Sequence, residues 1–201
     1  MSSRNRTSTK IIGYGLYLYF LGLSFRNTAK ALSFLKLIKI SHLVSIWKWI
    51  QKYRPKKFSR KRKIKEYIID ETAIKVGSEL IWIWIAIEPI YREILSFHIS
   101  KERNMFVAER FLSNVLNKYG KHQVSSDGGT WYPQACKFFN LHHHIHSSFE
   151  KSIIERTMQY IKDRTEIFDD YFPCKKNKCK LKHLKQWLNL FIDQHNKEIM
   201  P

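Results

Sequence analysis

The spacing of apolar residues changes about one third of the way along the chain. Up to Tyr53 they recur at helical intervals; from Glu66 they gather into short blocks rich in Ile, Trp and Tyr. Residues 1–10 are polar. Ile11 to Leu21 predicts a first helix, rich in Tyr and Leu and interrupted at Gly22. Ser24 is placed to cap a second helix from Phe25 to about Phe34. Ser41 is placed to cap a third, running to about Tyr53, with Leu43, Val44, Ile46, Trp47 and Ile50 at one-face spacing. The apolar run from Ile11 to Phe25 holds three glycines and is shorter than the roughly 20 residues of a membrane span. It reads as a packed helix rather than a span or a signal peptide.

Three short helices with a turn before the last predict a small all-α helix-turn-helix head over residues 1–53. The third would be the recognition helix, its polar face carrying His42, Ser45, Lys48 and Gln51. A purely structural three-helix cap is the plainer alternative. Residues 54–65 carry Arg54, Lys56, Lys57, Arg60, Lys61, Arg62 and Lys63, with Pro55 breaking any helix. This is the composition of a basic linker that follows phosphates without reading sequence.

From Glu66 to residue 201 the pattern predicts an α/β domain. Tyr67-Ile68-Ile69 is a short strand ending at Asp70, followed by strands over Leu80–Ile87 and Tyr91–Ile99 with a turn at Glu88-Pro89. Asn104–Tyr119 is an amphipathic helix stopped by Gly120. A fourth strand covers Gln123–Ser126, a short helix Trp131–Phe139, and a fifth strand Leu141–Ile145. Helices follow over Ser152 to about Ile167 and over Leu181–Asn196. The order β-β-β-α-β-α-β-α is that of the ribonuclease H-like fold, a mixed sheet flanked by helices. Trp82 and Trp84, alternating with Ile81, Ile83 and Ile85, read as sheet packing.

Charge narrows the function. Lys and Arg number 36 against 17 Asp and Glu, a net +19 with a pI near 9.9. Such a balance implies a polyanionic partner, nucleic acid ahead of an anionic membrane surface. Three cysteines, Cys136, Cys174 and Cys179, make no disulfide framework and fit a reducing cytoplasm. Cys174, Cys179 and His183 fall short of any standard zinc spacing.

In so basic a chain, acidic residues at strand ends are informative. Asp70 ends the first strand and Asp127 the fourth, at Ser-Ser-Asp-Gly-Gly. Those strands are neighbours in this fold, so both carboxylates would face one site, as metal-dependent phosphoryl transfer requires. A third carboxylate should come from a helix, where Glu150 and Glu155 are the candidates. Glu155 has Lys162 two turns away on its own face, placed to meet a DNA phosphate. Glu150 stands near the helix start, where it could serve the helix dipole alone. The run His142-His143-His144 with His146 would split between two faces of a strand, with phosphate contact or a solvated strand edge favoured over metal binding.

These residues together resemble a DDE transposase of an insertion sequence, on the archaeal branch of the insertion-sequence-six family. The likeness is carried by Asp70-Glu71-Thr72 with Trp82 and Trp84, by Ser126-Asp127-Gly128-Gly129 with Trp131-Tyr132, and by Ile154-Glu155-Arg156 with Lys162. Residues 162–174 and 19–24 extend it. The 28 positions from Asp127 to Glu155 are fewer than that family's usual spacing, which a short fifth-strand region would explain. The resemblance implies that Asp70, Asp127 and Glu155 bind two Mg²⁺ (or Mn²⁺) ions for DNA cleavage and strand transfer. It implies double-stranded DNA partners, namely the element's terminal inverted repeats and target DNA. It further implies a homodimer on paired ends, no membrane, a prokaryotic cytoplasmic setting and a replicative route. The alternatives are a catalytically inactive DNA-binding regulator and a ribonuclease H-like structure-specific nuclease. Tyr160 could suggest a tyrosine recombinase, but the strand pattern does not suit that mostly helical class.

Overall fold

The structure, a computed structural model, describes residues 7–35, 44–54, 63–168 and 179–199. It divides into two compact units: Met1–Lys57 with Lys182–Gln194, and Phe58–Leu181 with His195–Pro201.

The first unit is helical. Helix α1 is Thr9–Phe20, α2 is Phe25–Phe34 and α3 is Val44–Lys52. Ser24 caps α2 as expected, its hydroxyl accepting from the Asn27 N–H at 3.2 Å. Replacing Ser24 by Ala is expected to cost about 1 kcal/mol. The check is a lower denaturant midpoint in helical circular dichroism; an unchanged midpoint would mean the cap contributes nothing. Gly15 allows a close approach of α1 to α3, since a Cβ there would lie 2.9 Å from the Trp49 ring. Tyr19 stacks on Phe25 at 4.8 Å.

By their contacts, residues 182–194 group with the N-terminal helices. They belong to the last helix, α7 (Leu181–Glu198), whose buried stripe includes Leu184, Trp187, Leu188 and Phe191. The physical reason is aromatic: Trp187 stacks on Phe191 at 5.2 Å, meets Phe20 at 5.7 Å, and donates its indole N–H to the Tyr19 hydroxyl at 3.1 Å.

The second unit is built on a five-stranded sheet of order β3-β2-β1-β4-β5. The strands are β1 (Glu66–Val76), β2 (Glu79–Glu88), β3 (Glu93–Ser100), β4 (Gln123–Ser126) and β5 (His143–Ile145). β1, β2 and β3 are antiparallel neighbours, while β1–β4 and β4–β5 are parallel. The helices are α4 (Met105–Tyr119), α5 (Trp131–Phe138) and α6 (Ser148–Thr165), with a 3₁₀ turn over Glu166–Phe168. Asn104 caps α4 by accepting from the Val107 N–H, and Gly120 ends it at φ 88°. This is the expected ribonuclease H-like architecture, with β5 only three residues long.

One expectation fails in detail. β1 does not stop at Asp70 but runs to Val76, paired with β2 down to Val76↔Glu79. Gly77, at φ 63°, supplies the left-handed residue of the hairpin turn. The alternation along β1 sends Tyr67 and Ile69 into the core beneath α4 and α5, together with Trp84, Phe111 and Val124. Asp70 is therefore sent to the opposite face, the one facing α6.

Candidate active site

The parallel ladder between β1 and β4 pairs Glu66 with Gln123, Tyr67 with Val124 and Ile68 with Ser125. Continuing that register by two residues sets Asp70 opposite Asp127, with both side chains on one face. The two aspartates thus stand where the paired strands part, β1 going on alone with β2.

Asp127 is exposed, and its Oδ1 accepts from the Gly129 N–H at 2.9 Å. The turn favours glycine at both positions. Gly128 has φ 84°, and a Cβ on Gly129 would lie 3.1 Å from the Trp131 ring and 3.2 Å from the Asp127 carboxylate. Asp70 is half-buried, and its Oδ1 accepts from the Glu71 N–H at 2.8 Å. Burial, followed by the charges of Glu71 and Asp127, raises the Asp70 carboxyl to about 7, against the pull of that hydrogen bond and of Arg103. The carboxylate is thus the costly form of this side chain, and a nearby cation would relieve the cost.

On the facing helix, Glu155 and Lys162 line an open cleft of about 500 Å³ together with Asp70, Glu71, Thr72 and Gln159. The seven-residue spacing therefore does put Glu155 and Lys162 on one face, above Asp70. Glu155 is 62% exposed, with Lys151 at 3.8 Å. Asp70, Asp127 and Glu155 offer only carboxylate oxygens, which suits hard divalent cations such as Mg²⁺ or Mn²⁺. Asp70 supplies the repulsive carboxylate that such a cation would stabilise.

Glu150 has a different environment. It is buried in the first turn of α6, accepts from the Ser147 N–H at 2.6 Å, and meets His144 Nε2 at 3.0 Å. Burial works to raise its carboxyl, but the Ser147 hydrogen bonds and His144 outweigh it, so the net shift is downward. Of the two helix candidates, only Glu155 opens onto the cleft with Asp70. Glu66, His144 and Glu150 bring their ligand atoms within 4.8 Å of one another. That grouping escapes a sequence reading because it joins two strands and a helix. Its groups already have partners: Glu66 accepts from the Gln123 amide at 2.5 Å, and Glu150 meets Ser147 and His144.

The histidines are mostly absorbed by hydrogen bonding. His142 and His144 share a side, as alternation predicts, with rings 6.4 Å apart. His143 pairs with the Ser126 hydroxyl at 2.8 Å and His146 with the Ser125 hydroxyl at 2.6 Å. Burial lowers both imidazoles below their ordinary value. Cys136 is buried and free, while Cys179 is disulfide-bonded, against the expectation of unpaired cysteines, and so is not available to zinc.

A further set escaped the sequence reading. Glu71, whose side chain is fully buried, accepts from Arg103 Nε at 2.7 Å and from the Tyr132 hydroxyl. The Arg103 guanidinium lies 4.6 Å from the Trp82 ring and 4.4 Å from the Trp131 ring.

The residues expected to bind DNA from the head fare unevenly. Lys48 is exposed, while Ser45 is half-buried. Gln51 is turned inward, donating its amide to the His183 carbonyl at 3.3 Å. Arg54 donates to the carbonyls of Gln51 and Tyr53 at 2.9 and 3.0 Å, closing the end of α3. Lys63 is exposed. His42, Lys56, Lys57, Arg60, Lys61 and Arg62 lie outside the described residues. No described helix is long and apolar enough to cross a membrane.

Comparison with known proteins adds to this geometry. The DDE domain profile of the IS240 group of transposases matches residues 64–194. The uncharacterized protein MJ0017 of Methanocaldococcus jannaschii is 31% identical over 195 residues, 96% of this chain and 88% of its own length. Among solved structures, a chain of the simian T-cell lymphotropic virus intasome in complex with the PP2A regulatory subunit B56 gamma is similar at TM-score 0.50 and 18% identity. That likeness covers 80% of this chain and 66% of the other, just under two thirds. The catalytic core domain of BIV integrase is similar at TM-score 0.46 and 15% identity, over 64% of this chain and 82% of the core.

Proposed function

Because this chain belongs to the transposase DDE domain family, we propose that it is the transposase of a mobile DNA element, binding the element's ends and catalysing DNA cleavage and strand transfer. The observation that carries this reading is the cleft. Asp70, Glu155 and Lys162 line it, and Asp127 lies close enough to raise the Asp70 carboxyl.

Asp70, Asp127 and Glu155 would hold two Mg²⁺ or Mn²⁺ ions, which supply nucleophile activation and charge neutralisation at the phosphodiester. Asp70 acts in its ionised form, opposite Asp127 where the β1–β4 register is continued past its last pair. The Gly129 N–H orients the Asp127 carboxylate. Glu155 closes the set from α6. Lys162, on the same helix face, neutralises a phosphate of the bound strand. The nucleophile is water for cleavage and a DNA 3′-hydroxyl for joining. In cleavage the water oxygen joins phosphorus as the bond to the 3′-oxygen breaks, leaving a 5′-phosphate and a free 3′-hydroxyl. In joining, that hydroxyl forms a new ester as a target ester breaks, so no covalent protein–DNA intermediate is required.

The excess of basic residues supports a long DNA contact in which the head and the 54–65 segment position the duplex. Lys162→Ala is expected to weaken end-DNA binding by about tenfold and to flatten its salt dependence by about one counterion. An unchanged salt slope would remove Lys162 from the phosphate path. The protein is expected to act as a homodimer on paired ends; light scattering that shows only monomer with end DNA present would refute this.

The decisive assay is strand transfer by the purified chain with Mg²⁺, on DNA carrying the element's terminal inverted repeats. Unrelated duplex, a four-way junction and an RNA–DNA hybrid serve as comparisons. Joined products confined to end DNA are expected. Cutting of junction or hybrid instead would make the protein a structure-specific nuclease. Tight end binding without cleavage would make it a regulator.

A further inference from the structure

The β1–β4 ladder ends at Ile68↔Ser125, one residue short of each aspartate's neighbour. Asp70 and Asp127 repel each other, and the described pairing offers no further ladder bond to hold them in register. On the other face of β1 a different tie begins. Glu71 follows Asp70 directly and points into the core, where it accepts from the Tyr132 hydroxyl. Tyr132 is the second residue of α5, just after the Asp127-Gly128-Gly129 turn, and its N–H donates to the Gly129 carbonyl at 3.0 Å. A single buried carboxylate therefore joins the segment carrying Asp70 to the segment carrying Asp127.

Arg103 locks that join. It comes from the segment between β3 and α4, pairs with Glu71 at 2.7 Å, and is flanked by two indoles. One of these, Trp131, packs against Gly129, and the other, Trp82, belongs to β2. The segment that presents Arg103 is itself pinned, since Trp84 donates to the Ser100 hydroxyl at 2.8 Å and that hydroxyl donates to the Glu102 carbonyl at 2.7 Å. A planar guanidinium can pair with a carboxylate and stack on aromatic faces at once; an ammonium cannot.

We propose that Arg103, through Glu71 and Tyr132, is a positioning residue that sets the separation of Asp70 and Asp127 and thereby the affinity of the site for divalent metal. This rests on the reading of Asp70 and Asp127 as metal ligands. Partners behind metal ligands commonly govern affinity by ten- to a hundredfold.

The test uses the full chain and Mn²⁺ binding by calorimetry, with thermal melting beside it. Arg103→Lys keeps the charge and loses the stacked fork. Tyr132→Phe keeps the ring and loses one hydrogen bond to Glu71. Each is expected to weaken Mn²⁺ binding by about ten- to a hundredfold while melting stays cooperative and within a few degrees of wild type. Affinity within twofold of wild type in both folded variants would overturn the proposal. So would variants that do not fold, because the cluster would then be structural alone. Asp70→Asn and Asp127→Asn separate the two levels. If neither weakens Mn²⁺ binding, the metal-site reading fails and this inference falls with it. If both do but the Arg103 and Tyr132 variants do not, only the positioning role fails.

Discussion

Asp127→Asn is expected to reduce strand transfer on the order of 10³-fold or more while leaving the fold and end-DNA binding intact. The side chain is exposed and sits in a turn rather than in the core. Asparagine keeps the shape, and its carbonyl oxygen can still accept the Gly129 N–H that Asp127 Oδ1 accepts at 2.9 Å. What it removes is one unit of negative charge from the face shared with Asp70. A barrier increase of about 4 kcal/mol corresponds to a thousandfold in rate, the scale expected when a catalytic metal loses a charged ligand. Glu155→Gln should act alike, because Glu155 shares the cleft with Asp70. Glu150→Gln should behave differently. Glu150 is buried against Ser147 and His144, so its loss should lower the melting temperature before it lowers the rate. The comparison is a strand-transfer rate and a melting curve for each variant. Wild-type rates in Asp127→Asn would mean that the chemistry lies elsewhere. A rate loss in Glu150→Gln with unchanged melting would exchange the two glutamates.

Local signals carried most of the element boundaries. Ser24 before α2, Asn104 and Gly120 around α4, and the β-prone Gln123–Ser126 block all mark themselves through side-chain chemistry within four residues. The strand order then placed Asp127 beside Asp70. What stayed hidden depends on partners far away in sequence. β1 runs past Asp70 because β2 lies alongside, although Glu71, Thr72 and Lys75 look like the end of a strand. Trp187 and Phe191 form an ordinary amphipathic stripe, and nothing in its period says that its partners are Tyr19 and Phe20. Gln51 shows a polar face to any periodicity argument, yet its amide meets the His183 carbonyl. Arg103 is one of 36 basic residues, and only the two indoles and Glu71 distinguish it. The candidate site was more legible than its support, because Asp70, Asp127 and Glu155 sit at strand and helix positions with local signatures. The groups behind them are chosen by packing.

The Asp70 carboxyl should make metal binding strongly dependent on pH. Its ordinary value is 3.8, and burial with the charges of Glu71 and Asp127 lifts it to about 7, with Arg103 opposing. A divalent cation binds the ionised form, so below 7 it must displace a proton. Affinity for Mn²⁺ should therefore rise by about tenfold per pH unit up to about 7 and level off above it. Between pH 5 and 7 that amounts to roughly a hundredfold. The effect on stability has the opposite sense. With the folded value above the unfolded one, the folded chain binds the proton more tightly. The stabilisation this gives is complete below about 4 and is lost as pH rises through about 7. Asp70→Asn should thus melt higher than wild type at pH 8 without metal, and match it near pH 4. The other charged groups that line the cleft, Glu71, Glu155, Arg156 and Lys162, and Asp127 opposite, are common to both proteins. His146 feels the Asp127 charge and also titrates, but burial holds its imidazole below 6.5. His146→Gln should accordingly leave the midpoint near 7 in place. Calorimetric Mn²⁺ titrations from pH 5 to 8 provide the measurement. A flat affinity over that range, or a midpoint near 4, would mean that Asp70 is already ionised and that burial beside Glu71 does not hold its proton. Asp127→Asn should lower the midpoint near 7 only in part, because burial and the Glu71 charge raise the Asp70 carboxyl more than Asp127 does.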